Sequence, residues 1–379
     1  MDIDPVLKAL MAALHGEGPA VEIVTGDHGE PQAIPVETGV EDAAVVVRTS
    51  GSTGTPKATV LTIDALAASS VSTAMALRGE GQWLLALPLQ YVAGVQVLVR
   101  SLYAGTRPWV MDLSDGFTPE AFTAAAEELT DKIRFTSLVP TQLQRLLDSP
   151  APETLAVLRR FNAILLGGAP ASPDLLASAH AEGLKVVTTY GSAETCGGCV
   201  YDGQPLDGVE VRIGEGGLEG RILLGGDTVA AGYLDAARAS KAAFFEEEGV
   251  RWYVTGDLGE LDDDGKLTVL GRADDVIITG GVKASAAYIQ GELEKLDGVT
   301  AAFVTGVPSR EWGQAVAAFV AVTDPSPEGI KGFTSRREAA LGVLAPKTVF
   351  ADKELPMLPN GKPDRLAMIE RLSELHQGQ

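Results

Sequence analysis

The chain has 379 residues, of which 45% are hydrophobic and 21% are charged, and this globular composition excludes disorder, collagen and coiled coil as descriptions of the whole chain. The length predicts about two or three domains. The formal net charge is −21, so the surface repels polyanions and anionic lipids, which argues against nucleic-acid binding and membrane-surface binding. No segment has the pattern of a signal peptide or a membrane span, so we expect a cytoplasmic protein that does not insert into a membrane.

Apolar strands that alternate with helices are predicted over the first 200 residues. The predicted strands are Val45–Arg48, Trp83–Pro88, Lys132–Val139, Ala163–Leu166 and Lys185–Thr189. The predicted helices are Met1–His15, Ile63–Leu77, Gly94–Leu102, Pro119–Leu129, Thr141–Leu147 and Pro173–Glu182. This alternation favours an α/β fold built around a largely parallel sheet.

Residues 200–271 have a different pattern, because apolar and polar residues alternate around glycine and Asp-Gly turns, as in β-hairpins. A smaller α+β pattern follows. Its predicted elements are the strands Val276–Ile278, Ala301–Val307 and Ala315–Val322, the helices Ala286–Leu296 and Arg336–Leu344, and a loop over Asp324–Gly332. The sequence therefore predicts an N-terminal α/β domain over residues 1–271, with a β-rich part from about residue 200, and a C-terminal domain over residues 272–379.

The strongest local signal, Thr-Ser-Gly-Ser-Thr-Gly-Thr-Pro-Lys, directly follows the first predicted strand. Its small residues let backbone N–H groups converge on an anion, and its hydroxyl groups and lysine add donors and charge. Pro56 precedes the lysine, which excludes a Walker A loop. The alternative is a flexible loop without a ligand. The predicted phosphate-binding residues are Thr49, Ser50, Gly51, Ser52, Thr53, Gly54 and Lys57.

This segment resembles the phosphate loop of the adenylate-forming superfamily, which contains acyl-CoA synthetases, luciferases and peptide-synthetase adenylation domains. Five further segments resemble motifs of that superfamily in the same order. They are LLGGAP (165–170), TTYGSAE (188–194), YVTGD (253–257), GRADDVIITGG (271–281) and LPNGKPDR (358–365). The resemblance implies layered α/β sheets, a β-rich subdomain, a small mobile C-terminal domain and ATP-dependent activation of a carboxylic acid.

The resemblance also implies a role in the nucleotide site for Gly168, Ala169, Pro170, Thr188, Thr189, Tyr190, Gly191, Ser192, Asp257 and Arg272. A tyrosine at position 190 can stack on a purine, and a carboxylate at Glu194 can bind Mg²⁺ beside phosphates. Asp257 can accept both ribose hydroxyls. Each residue also has an ordinary structural explanation: a core tyrosine, a surface carboxylate or a turn aspartate. Ala193 stands where the family has threonine, and either Ser192 or Thr195 could supply the missing hydroxyl.

Three further roles are implied in the C-terminal part of the chain. Lys362 matches the catalytic lysine, a mobile charge for the developing α-phosphate charge, although a surface lysine is the ordinary alternative. Asp274 matches the hinge about which the domain rotates. Gly280 and Gly281 match the tunnel that admits the thiol of CoA.

The segment Leu87–Gly105 resembles that of the o-succinylbenzoate–CoA ligases, a family of the menaquinone pathway. Arg100 lies within an apolar helix and needs a partner, which the aromatic carboxylate of the substrate provides in that family. The alternative is a structural ion pair or a helix-end arginine. Tyr91 and Gly94 are assigned to the same acid site, although the family often has histidine where Tyr91 stands.

The resemblance thus implies ATP with Mg²⁺, CoA and o-succinylbenzoate as ligands. A synthetase for another acid, an adenylation enzyme that loads a carrier protein, and a nucleotide-binding module without turnover remain open, as does a homodimer. Cys196 and Cys199 have CxxC spacing, but no histidine lies nearby, so we expect small thiols that line a pocket rather than a metal or redox site.

Overall fold

A computed structural model describes residues 2–26, 30–49, 57–114, 116–215, 217–218, 220–358 and 363–378, with only the backbone described at residues 274, 283, 327 and 328. The α-helices are α1 (Asp4–Leu14), α2 (Ile63–Ala76), α3 (Val92–Tyr103), α4 (Pro119–Glu127), α5 (Pro140–Leu147), α6 (Pro152–Arg159), α7 (Pro173–Ala181), α8 (Ala237–Ala243), α9 (Ala286–Glu294), α10 (Pro327–Leu341) and α11 (Arg365–Gln377). Short 3₁₀ helices span Ala193–Thr195, Ala273–Asp275 and Gly342–Leu344.

The strands of the first 200 residues are β1 (Ala20–Thr25), β2 (Pro31–Val36), β3 (Ala43–Thr49), β4 (Lys57–Thr62), β5 (Gln82–Leu85), β6 (Trp109–Val110), β7 (Arg134–Leu138), β8 (Ala163–Leu166), β9 (Val186–Ser192) and β10 (Gly197–Tyr201). The later strands are β11 (Gln204–Pro205), β12 (Val209–Ile213), β13 (Arg221–Gly226), β14 (Gly232–Tyr233), β15 (Phe244–Glu247), β16 (Val250–Leu261), β17 (Leu267–Arg272), β18 (Val276–Thr279), β19 (Val282–Ser285), β20 (Val299–Ser309), β21 (Gly313–Val322) and β22 (Thr348–Asp352).

These strands form four sheets among the residues that the structure describes. The largest has the order β11-β10-β9-β8-β7-β5-β6, and another has the order β14-β4-β3-β1-β2. The third has the order β12-β13-β16-β15 with β17 paired to β16, and the fourth has the order β19-β18-β21-β20 with β22 paired to β21. The predicted α/β fold class is therefore confirmed.

The seven-stranded sheet is parallel from β6 through β9, as the apolar runs predict. All four residues of β8 are buried, and helices α4 to α7 contribute to the apolar core beside it. In this sheet Leu166 at the end of β8 pairs with Thr188 on β9. Since parallel strands end at the same edge of a sheet, the loop after β8 and the end of β9 are neighbours, and both carry predicted nucleotide-binding residues.

The chain divides into two compact units. The first contains Met1–Arg212, Leu223–Thr255 and Leu261–Leu267, and the second contains Ile213–Ile222, Gly256–Glu260 and Thr268–Gln379. In the second unit the central strand β21 is buried on both faces, with α9 and α10 contributing to one apolar core and α11 to the other. The uninterrupted apolar run over Ala315–Val322 reflects that double burial.

The loop predicted over Asp324–Gly332 is partly wrong, because α10 begins within it at Pro327. The Oγ atom of Ser326 accepts a hydrogen bond from the backbone N–H of Gly329 at 3.3 Å, and so caps the helix. Proline is favoured in the first turn of a helix, where its missing N–H costs nothing. The proline that suggested a loop therefore marks the start of a helix.

None of the helices in the described ranges is both long and apolar enough to cross a bilayer.

Candidate active site

Two of the predicted nucleotide-binding segments of the first unit lie at one edge of the seven-stranded sheet. Gly168, Ala169 and Pro170 follow β8, and Thr188 to Ser192 form the end of β9. The backbone N–H and the Oγ1 of Thr188 both donate to Oδ1 of Asp202, at 2.8 and 2.9 Å, which anchors the strand. Tyr190 is half-buried, opposite Val200 on β10.

The turn after β9 distinguishes the two hydroxyls that could replace the one missing at Ala193. Oγ1 of Thr195 accepts from the N–H of Ser192 at 3.0 Å and donates to the carbonyl oxygen of Gly197 at 2.8 Å. Its hydrogen-bonding capacity is therefore used within the turn. Oγ of Ser192 is buried and has no partner among the described residues, so it retains a donor for a ligand.

Glu194, on the same turn, is only 7% exposed. One of its oxygens, Oε1, accepts a hydrogen bond from the hydroxyl of Tyr233 at 2.8 Å. Within the described residues no basic side chain forms an ion pair with it. Since a buried charge is normally paired or coordinates a metal, the carboxylate suits a cation.

A metal at Glu194 would need additional ligands from outside the protein side chains. The residues that the structure describes contain no cluster of three histidine, cysteine, aspartate or glutamate side chains that could hold an ion. Mg²⁺ commonly binds with one or two carboxylates, substrate phosphates and water. The donor set therefore fits Mg²⁺ delivered with a nucleotide.

Tyr233 connects Glu194 to the end of the predicted phosphate loop. Its ring centroid lies 4.8 Å from Nζ of Lys57, the first residue of β4, and Thr49 pairs with Lys57 from the end of β3. Burial, and then the nearby Glu194 and Tyr253, raise the pKa of the Tyr233 hydroxyl, so Tyr233 stays protonated. The predicted loop residues Ser50, Gly51, Ser52, Thr53 and Gly54 lie outside the described residues.

A second buried charge, Arg100, lies in the last turn of α3 and is 6% exposed. Its Nη2 donates to the hydroxyl of Tyr201 at 3.4 Å, and that hydroxyl lies 3.0 Å from Oγ1 of Thr73. The guanidinium carbon is 5.2 Å from the centroid of the Trp83 ring, and Nε is buried without a partner. Glu80 lines the same small cavity, yet it forms no ion pair with Arg100.

The structural ion pair considered for Arg100 is thus absent from the described part of the chain. A guanidinium offers five N–H donors, and here one of them has a single long hydrogen bond. The site can therefore accept an anion, and a planar carboxylate matches the paired donors of arginine.

The buried backbone carbonyl group of Cys196 links the region around Glu194 to the region around Arg100. The backbone oxygen of Cys196 accepts hydrogen bonds from Nε2 of Gln96 on α3 at 2.7 Å and from Oγ of Ser69 at 3.2 Å. Both cysteines are free and fully buried, and burial raises the pKa of the Cys199 thiol to about 12. The thiols are therefore protonated at neutral pH, and they pack inside the protein beside this link.

Two predicted acid-site residues lie near the start of α3. Tyr91 precedes the helix and is half-buried. Gly94 is buried, and a Cβ atom built there would lie 2.4 Å from the carbonyl oxygen of Pro88. Its missing side chain therefore allows close packing of α3 against the preceding loop, which explains Gly94 without a substrate contact.

The second unit contains the other predicted residues. Asp257 and Arg272 face each other, with 3.6 Å between Oδ1 and Nη1. Asp274 lies in the 3₁₀ helix Ala273–Asp275, and the neighbouring Asp275 forms an ion pair with Arg365. Lys362 lies outside the described residues.

The turn at Gly280 and Gly281 has a local structural explanation. Gly280 has a φ of +56°, and a Cβ atom there would lie 2.7 Å from the ring of Trp312. Gly281 has a φ of +81°. The left-handed backbone favours glycine at both positions, and the indole fills the space beside the first.

Sequence reasoning missed the residues that hold the two buried charges. They are Tyr233 beside Glu194, and Tyr201, Thr73 and Trp83 beside Arg100. Each lies on a different strand or helix from the charge that it surrounds. The tyrosine of a short Gly-Tyr strand gave no local signal of its contact with Glu194.

Comparison with known proteins gives concordant results. The profile of a family described as AMP-binding enzyme matches residues 4–234. A probable 2-succinylbenzoate–CoA ligase of Mycobacterium tuberculosis is 40% identical over 377 residues, which cover 97% of this chain and 95% of that protein. The o-succinylbenzoate CoA synthetase of Bacillus subtilis, solved with its acyl-adenylate intermediate, has a TM-score of 0.73 and 28% identity, covering 89% of this chain and 72% of that one. ATP-bound MatB of Rhodopseudomonas palustris has a TM-score of 0.78 and 25% identity, covering 93% and 75%.

Proposed function

The chain belongs to the AMP-binding enzyme family, and we propose that it is an ATP-dependent 2-succinylbenzoate–CoA ligase. It converts 2-succinylbenzoate (o-succinylbenzoate), ATP and CoA into 2-succinylbenzoyl-CoA, AMP and diphosphate. The names of the M. tuberculosis and B. subtilis relatives support this substrate. We assign the reaction to menaquinone biosynthesis, as the family resemblance implies, and to the cytoplasm, where ATP and CoA are available.

The observation that carries the proposal is the buried guanidinium of Arg100, which has no carboxylate partner in the described residues. A positive charge kept in an apolar pocket requires an anion to offset its desolvation. 2-Succinylbenzoate has two carboxylates, so one can bind Arg100 while the other reacts. A monocarboxylate substrate would leave Arg100 unpaired, which disfavours most fatty and aromatic acids.

Adenylation then follows from the residues around the turn after β9. The succinyl carboxylate attacks the α-phosphorus of ATP, a P–O bond forms, and the bond to the leaving diphosphate breaks. Glu194 would hold Mg²⁺, which supplies neutralisation of the phosphate charge. Lys57 adds a positive charge at the phosphate loop, and the unpartnered hydroxyl of Ser192 can donate to a phosphate oxygen. Such fixed donors stabilise charge that develops in the transition state.

Thioester formation is the second half-reaction. The sulfur of CoA attacks the acyl carbonyl carbon, the bond to AMP breaks, and the thiol loses its proton. We assign to the region from residue 272 onward the role of a mobile domain that rotates about Asp274 between the two half-reactions. In that assignment Lys362 serves adenylation, and Gly280 and Gly281 border the path of the thiol.

In this assignment Lys362 acts in adenylation and not in thioester formation, so its substitution should affect the two half-reactions differently. Lys362→Ala should slow adenylation by about 100-fold or more, because it removes a charge that acts only on the α-phosphate in that step. Supplying preformed acyl-adenylate and CoA should restore thioester formation. Equal losses in both half-reactions would contradict the assignment.

The test of the proposed function is acid-dependent exchange of radiolabelled diphosphate into ATP, measured with a panel of acids. We expect 2-succinylbenzoate to support exchange far better than benzoate, succinate or fatty acids. Addition of free CoA should then release AMP and consume the thiol. Exchange without consumption of free CoA would instead indicate a carrier-protein substrate, and no exchange with any acid would contradict an enzymatic role.

A further inference from the structure

Strand pairing places Tyr233 near Lys57, the last residue of the predicted phosphate loop. Gly232 and Tyr233 form the short strand β14, which pairs antiparallel with β4 so that Tyr233 lies opposite Thr59. Lys57 is two residues before Thr59 and therefore on the same face of β4, in the diagonal position that long side chains reach across a sheet. The backbone register thus explains why the ammonium group of Lys57 lies 4.8 Å from the centre of the tyrosine ring.

The same segment holds Glu194 at two points. The hydroxyl of Tyr233 donates to Oε1 of Glu194 at 2.8 Å, and the N–H of Ala230 donates to the backbone carbonyl oxygen of Glu194 at 2.9 Å. Tyr233 and Glu194 are both buried. A buried carboxylate that is fixed through its main chain and one of its oxygens has little freedom to turn away from a ligand.

The hydroxyl of Tyr233 gives its single proton to Oε1 of Glu194, because a carboxylate oxygen accepts and the hydroxyl is the donor. Within the described residues Oε1 is therefore occupied, while Oε2 of Glu194 has no hydrogen-bond partner.

We propose that Tyr233 is the positioning residue of the magnesium–ATP site, fixing one oxygen of Glu194 and the ammonium group of Lys57 so that the second oxygen of Glu194 remains available to the metal. This inference rests on the proposed function for the role of Glu194. Tyr233 itself touches neither substrate nor metal. Its effect is to orient one negative and one positive group that would contact the same phosphates.

The test uses Tyr233→Phe, which removes the hydroxyl and keeps the ring that contacts Lys57. In diphosphate exchange with saturating acid, the Mg²⁺ concentration for half-maximal rate should rise by about 10- to 100-fold, the range seen when a metal ligand loses its supporting hydrogen bond. High Mg²⁺ should restore most of the rate. Thioester formation from preformed acyl-adenylate should be unchanged.

A binding measurement separates this inference from the proposed function. Electron paramagnetic resonance measures how much free Mn²⁺ the protein removes from solution in the presence of a non-hydrolysable ATP analogue. Tyr233→Phe should remove less Mn²⁺ than the parent. Tyr103→Phe, at an exposed tyrosine, should match the parent. If the parent binds Mn²⁺ and ATP but no acid supports exchange, the function fails and the inference stands. An unchanged Mn²⁺ affinity and Mg²⁺ dependence in Tyr233→Phe would overturn the inference, as would a lower rate that no Mg²⁺ concentration restores.

Discussion

Glu194 and Arg100 lie in two regions of the first unit, and their surroundings are similar although their charges are opposite. Each side chain is buried, each contacts the hydroxyl of one tyrosine, and neither has an oppositely charged partner in the part of the chain that the structure describes. Tyr233 donates to the carboxylate at 2.8 Å, whereas Tyr201 accepts from the guanidinium at a long 3.4 Å. The carboxylate of Glu194 is therefore held by a short hydrogen bond, and the guanidinium of Arg100 by a long one.

The difference indicates which ligand completes each region. The cavity beside Arg100 is lined by side chains of α2, α3, β5 and β7, so its shape depends on residues outside the nucleotide motifs. Glu194 follows a motif strand and would serve ATP with any acid. Arg100 would discriminate among acids, because only a second carboxylate neutralises it. Substitutions around Glu194 should therefore affect the use of ATP with every acid, and substitutions around Arg100 should affect which acid is used.

The largest effect is expected for Arg100→Ala. Loss of the partner of a desolvated carboxylate costs about 2–5 kcal/mol, which is about 30- to 5,000-fold in kcat/KM for 2-succinylbenzoate. An analogue without the aromatic carboxylate should be a poor substrate of the parent, and its kcat/KM should not change with the substitution. Arg100→Lys should restore only part of the loss, because an ammonium lacks the planar pair of donors. The control is Arg107→Ala, at an exposed arginine. A similar fall for both acids would make Arg100 structural and remove the contrast between the regions.

A smaller but more general effect is expected for Glu194→Gln. The amide oxygen can still accept from Tyr233, so packing is kept while the charge is lost. Adenylation should fall by about 100-fold, as when one electrostatic contact in a transition state is removed, and the factor should be the same for every acid. Glu246→Gln, at an exposed glutamate, is the matched control. Diphosphate exchange with two acids measures this, and a loss confined to one acid would refute the division of roles.

The smallest effect is expected at the link between the regions. Gln96→Leu removes the 2.7 Å hydrogen bond to the carbonyl of Cys196, which keeps its bond from Ser69. The net loss of one hydrogen bond is about 1 kcal/mol. We expect a fall of about fivefold that appears in the KM values of both ATP and the acid, with a slightly lower Tm. Gln144→Leu, at an exposed glutamine, should change neither. An effect on only one KM would show that the two regions are independent.

Much of the fold was predictable from the pattern of apolar residues. The apolar runs of the parallel sheet reflect strands that are buried on two faces, and the alternating pattern after residue 200 reflects strands that are buried on one. Several elements were not predicted, among them the β1–β2 hairpin, strands β4 and β22, and helices α6, α8 and α11. Two prolines in β2 suggest a loop, yet this strand lies at the edge of its sheet, where a missing N–H donor is tolerated. The start of α10 was mistaken for a loop for a related reason, because proline is both a helix starter and a loop residue.

The sequence by itself determined the order of motifs, the α/β class and the presence of Arg100 as a charge within an apolar helix, because these depend on residues close together along the chain. Glu194 was indicated by the resemblance of its motif. Only the tertiary structure decided what surrounds those charges. Tyr233 reaches Glu194 across 39 positions, and Tyr201 reaches Arg100 across 101. Local patterns carry no information about such pairs, since strand pairing and helix packing bring them together. The burial that leaves each charge in need of a ligand is likewise a property of the packed fold, where distant side chains exclude water.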